Sequence, residues 1–131
     1  MDSKELMLGD WIYVPHNGNA THYARVIGIY SRDVVSTELD KMSGLIKADA
    51  LEPISLTPEI LEKNGFVLKE EEVGMYGVKI APHYTRDDLP FEVFCDGDPF
   101  AIWFNNPVNI KYIHELQHAL RLCGIEKEIT I

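Results

Sequence analysis

The residues with the clearest chemical potential in this chain are His114, Glu115 and His118, in the stretch HELQH. Two histidines four apart share a helix face and can bind zinc together, while the glutamate between them can take a proton from metal-bound water. Such chemistry needs a third protein ligand. The extended pattern H-E-x-x-H-x-x-G-x-x-H calls for glycine where Arg121 stands and histidine where Gly124 stands, so neither requirement is met. A third ligand from a later helix needs more chain than the thirteen residues after His118, which offer Glu126 and Glu128 just past the helix end. Upstream, His16, His22, His83 and Asp87 are ligand types, with no spacing that ties them to the pair.

The helix that must position this stretch argues against the same chemistry. At about 100° per residue, Tyr112, Ile113, Leu116, Ala119, Leu120 and Cys123 fall in one apolar arc. His114 and His118 then point to solvent beside Gln117 and Arg121, where a zinc ion would lack a cleft wall. The sequence therefore assigns no catalytic residue, cofactor or metal ligand. A zinc-dependent hydrolase using His114, Glu115 and His118 stands as the alternative.

The remaining elements read as α+β. The stretches LMLGDWIYV, ARVIGIY, DVVSTEL and LIKADALEPI are rich in β-branched and aromatic residues and are separated by HNGN, SRD and KMSG, which supply turns. Such short spacing predicts a small antiparallel SH3-like β-barrel over residues 1–56. Apolar residues at both alternating positions predict strands covered on both faces, and Gly28 within a strand predicts a bulge. A short helix follows, with Thr57 as N-cap, Pro58 in its first turn, and Asn64 and Gly65 as its stop. FVLKEEEVGMYGVKIA and FEVFCDGDPFAIWF read as hairpins, the second turning at Asp96 and Gly97. The last helix is expected from Asn106 or Asn109 to Gly124, with IEKEITI as an edge strand. No linker composition separates residues 1–56 from 57–131, which predicts one compact domain over 1–131.

Composition narrows the function classes. A net charge of −9, from 21 acidic against 12 basic residues, leaves no basic footprint for phosphates, so direct nucleic-acid binding is not expected. No apolar run reaches the roughly 20 residues of a bilayer crossing, and MDSKE does not resemble a signal peptide, which together imply the cytoplasm and no membrane partner. Cys95 and Cys123 form no C-x-x-C pair and read as reduced, small hydrophobes. The DGD of Asp96 to Asp98 lacks calcium-loop spacing and reads as a turn, and the Lys69 to Glu72 run reads as a solvated hairpin loop.

Three stretches in order, LGDWIYV, LEPISLTPEILEKNGF and IKYIHELQHALRLCGIEKEI, make the chain resemble a set of small uncharacterised proteins of Bacteroides-type gut bacteria and their phages or mobile elements. The shared features are a Gly-Asx-Trp start, a P-I-x-L-T entry to a helix and a terminal Y-[VI]-H-x-L-Q helix. In that pattern the position of Glu115 is often Gln, and that of His118 need not be His. The resemblance implies a structural helix and transfers no activity.

The leading expectation is a non-enzymatic module that binds an unidentified protein partner or self-associates as a homo-oligomer, using aromatics such as Trp11, Tyr13, Phe94 and Trp103. An acidic anti-defence protein that mimics nucleic acid is a further alternative, motivated by the charge and the mobile-element resemblance.

Overall fold

Side-chain alternation in the N-terminal part decides which residues face the core, and the short turns between strands make neighbours antiparallel. The structure is a computed structural model; it describes all residues except 17–19, 40, 41, 71, 74, 78, 96, 97, 104, 105, 126 and 127. The chain divides into two compact units, Met1–Ile54 and Ser55–Ile131. It is α+β, built mainly from two antiparallel sheets and two α-helices.

In the first unit, β1 (Trp11–His16), β2 (Ala20–Tyr30), β3 (Val34–Leu39) and β4 (Met42–Lys47) form a meander in the order β1-β2-β3-β4. Its core holds Leu6, Ile12, Ala24, Val26, Val35, Ala48 and Leu51. Ile12 lies opposite Ala24, and Val35 opposite Ile46, so one face of the sheet supplies the core. The predicted bulge is present: the β2–β3 register shifts between Val26 and Gly28. A Cβ at Gly28 would lie 2.6 Å from Ser36 Oγ and 2.8 Å from the Tyr30 hydroxyl, because Tyr30 folds back over the glycine.

The Gly-Asp-Trp start has a structural explanation. Asp10 is fully buried, and its carboxylate accepts from Met7 N–H at 2.8 Å, while its backbone carbonyl accepts from Val26 N–H at 2.9 Å. That turn sets the entry into β1. The fourth predicted strand is shorter than expected: after Lys47 the chain enters a 3-10 turn, Ala48–Ala50, and then pairs with β1 through Tyr13 and Glu52. Among the described residues, no closed barrel is found.

In the second unit, α1 (Pro58–Lys63) starts as the sequence predicts, with Thr57 Oγ1 accepting from Ile60 N–H at 3.3 Å. It ends in a Schellman motif: Gly65 N–H donates to Glu62 carbonyl and Phe66 N–H to Leu61 carbonyl, with Gly65 at φ 85°. The strands β5 (Val67–Lys69), β6 (Glu72–Val73), β7 (Lys79–Ile80), β8 (His83–Thr85), β9 (Phe91–Phe94), β10 (Phe100–Trp103) and β11 (Asn106–Val108) follow. A five-stranded sheet has the order β11-β10-β9-β8-β5, and β6 pairs with β7. The first predicted hairpin is longer than its sequence suggested, since β5 pairs with β8 and β6 with β7 in one continuous register. The β9–β10 hairpin forms as predicted, with Phe94 opposite Phe100; its expected Asp96-Gly97 turn lies outside the described residues.

Two expectations at the C-terminal end are corrected. Asn106–Val108 is a strand, β11, and no helix starts there. Pairing with β10 holds it extended, with Ala101 opposite Val108 and Trp103 opposite Asn106, and the edge position tolerates Pro107, which has no N–H to donate. Helix α2 is Ile113–Leu122 and ends in a second Schellman motif through Gly124 and Ile125. The described part of IEKEITI forms no strand. Instead Asn64, itself buried, donates to Thr130 carbonyl at 2.8 Å and accepts from Thr130 N–H at 2.7 Å, substituting one side chain for a strand partner.

Candidate interaction surface

Glu115 is the third residue of α2, and its position decides its role. Its Oε1 accepts from the backbone N–H groups of Lys111 at 3.0 Å and Tyr112 at 3.1 Å, so the carboxylate closes the helix start. An oxygen engaged by two backbone donors is poorly placed to take a proton from water. The solvent-facing position expected for His114 is also corrected: the residue is only 5% exposed, and Gln117 is buried beside it, while Leu122 is 81% exposed. The buried arc of α2 is therefore wider than an apolar stripe and includes polar side chains. Tyr112, in extended backbone at the N-cap, stacks its ring against His114 with centroids 5.8 Å apart and planes at 8°. His118 is half-buried, its ring 5.6 Å from that of His114 and nearly perpendicular to it.

The upstream ligand types do not complete a centre. His83 is buried, with Nδ1 3.0 Å from Ala81 carbonyl and its ring 5.1 Å from that of Phe94, and Asp87 is exposed. His22 is half-buried on β2, and the side chain of His16 and all of Glu126 lie outside the described residues. Among the described residues, no group of three or more His, Cys, Asp or Glu side chains could hold a metal ion.

Two open grooves of the second unit offer little more. One, of about 520 Å³, runs past Asn64, Lys69, Arg86, Asp87 and Asp88. Its Arg86 forks onto Asp88 at 2.5 and 2.6 Å and donates to Asn64 carbonyl at 3.2 Å, which fixes the cation. The Asp88 hydrogen bond raises the Arg86 pKa. The other, of about 370 Å³, is lined in part by Cys95, Lys111 and Tyr112. Burial pushes the Cys95 thiol above its ordinary value, so little thiolate is available as a nucleophile. Cys123 is raised by burial and then by Asp88, and neither cysteine is bridged.

A different surface gathers in the first unit, on the sheet face opposite its core. Residues directly opposite across strands share a face, so Trp11, Arg25, Glu38 and Ser43 make one row and Glu52, Tyr13 and Tyr23 the next. Arg25 lies over Trp11, its guanidinium carbon 5.4 Å from the ring centroid. Tyr13 and Tyr23 meet edge to face with centroids 6.3 Å apart. Trp11 and Tyr13 are half-buried, and Tyr23 is 44% exposed, so these strands are not covered on both faces as expected. Along the same face, Leu45 opposite Ser36 is 71% exposed.

Of the aromatics the sequence singled out, Trp11 and Tyr13 fall on this face. Phe94 and Trp103 belong to the second unit, where Phe94 stacks on Phe100 at 5.0 Å and Trp103 packs on Phe91 at 5.2 Å. Tyr23 precedes the ARVIGIY stretch and Arg25 lies within it; alternation with the buried Ala24 and Val26 puts both on the outward face. Comparison of the chain with protein families, curated proteins and solved structures gives no match.

Proposed function

We propose that this chain is a non-enzymatic protein-interaction module that binds a protein partner through the outward face of its first unit. The observation that carries the reading is the cluster of Trp11, Tyr13 and Tyr23, aligned across β1 and β2 and still open to solvent. Aromatic side chains at a surface supply large contact area with few rotatable bonds, the composition of interface cores. In this reading the first unit is an SH3-like curl. The return of the chain to β1 at Glu52, after a 3-10 turn, supports that description because a fifth strand of such a barrel would run there. The same reading puts the protein in the cytoplasm, with no cofactor and no direct nucleic-acid contact, among the small proteins of Bacteroides-type bacteria and mobile elements that its sequence resembles.

Affinity capture from the source cells tests it, with wild type, Tyr23→Ala and Leu122→Ala compared at equal protein loading. A discrete protein retained by wild type and Leu122→Ala and lost in Tyr23→Ala is expected. Equal retention by all three variants would remove the face from the account.

A further inference from the structure

Resting on the interaction-module reading, the chemistry of the face narrows the kind of partner. Its two aromatic rows are bounded by carboxylates on opposite sides. Glu52 flanks Tyr13 beyond β1, and Glu38 flanks Arg25 on β3; both are exposed. Aromatic faces carry negative quadrupole potential and carboxylates carry full charge, so both attract cations. The contact of Arg25 with Trp11 is an internal example of what the surface offers. The net charge of −9 adds long-range attraction of the same sign and repels phosphates and acidic partners.

We propose that the outward face of β1–β3 binds a basic, extended segment of a protein partner. One cationic side chain lies against the Tyr13–Tyr23 pair, and others reach Glu38 and Glu52. An extended segment places alternate side chains on one side, which suits a sheet face with rings and carboxylates in successive rows.

The test is an amide chemical-shift titration with a peptide of alternating arginine and glycine, beside its citrulline counterpart, which keeps the shape and removes the charge. The expected result is a set of shifts confined to the strands around Trp11, Tyr13, Tyr23, Glu38 and Glu52. Affinity should fall about tenfold or more in Tyr23→Ala and in Glu38→Gln/Glu52→Gln. It should be unchanged in Glu59→Gln/Glu62→Gln, which removes the same charge from exposed positions on α1. Equal losses in the two charge variants would reduce the effect to bulk electrostatics and overturn the proposal. So would absence of binding by the arginine peptide. Equal binding of the citrulline peptide to the face would overturn the basic partner while sparing the interaction surface. Concentration-dependent shifts of the same amides without peptide would assign the face to a second copy of the chain and also overturn it.

Discussion

Helix α2 and the outward face of β1–β2 invert the usual relation between motif and availability. The helix bears the one stretch that matches a catalytic pattern, yet Glu115 closes the helix start and His114 is buried. The sheet face matches no pattern, yet it presents tyrosine, tryptophan, arginine and glutamate together at solvent. Folding demands account for the first arrangement. They do not require the second, because the core of that unit is complete on the opposite face.

Substitutions can break this comparison. The largest effect is expected within the histidine pair. His114→Ala should cost roughly 1–3 kcal/mol, as loss of a buried ring does, whereas His118→Ala should stay within about 0.5 kcal/mol. Chemical denaturation measures both, and equal costs would indicate that the two rings act as a pair. Glu115 gives the next effect. Glu115→Ala should lose about 1 kcal/mol of stability, while Glu115→Gln, whose amide oxygen can still accept the two N–H groups, should lose less than about half of that. If alanine were as well tolerated as glutamine, the capping role would be wrong. The smallest effect belongs to the other region: Tyr23→Ala, at an exposed position, should change stability by less than about 0.5 kcal/mol. A large cost there would mean that the tyrosine pair serves the fold.

Local chemistry made much of this architecture legible. Thr57, Pro58 and Gly65 announced α1, Gly28 announced the bulge, and the Phe94–Phe100 hairpin followed from two aromatic runs. The start of α2 was not legible from Asn106 or Asn109. A capping asparagine and a turn asparagine look alike in sequence, and the deciding feature is Glu115 at the third helical position. The burial of His114 was hidden for another reason. A helical wheel counts apolar residues, whereas here two polar side chains, His114 and Gln117, share the buried side of the helix. Tyr23 and Arg25 became visible only when strand register put them opposite Tyr13 and Trp11.

In the proposed reading the H-E-x-x-H residues serve the helix, and binding resides on the outward face of the first unit. Zinc content per chain, measured by plasma mass spectrometry on untagged protein and on folded His118→Ala, tests it most directly. Zinc well below one ion per chain, with no difference between the two proteins, is the expected result. One zinc per chain in wild type, lost in His118→Ala, would contradict it and return the chemistry to α2.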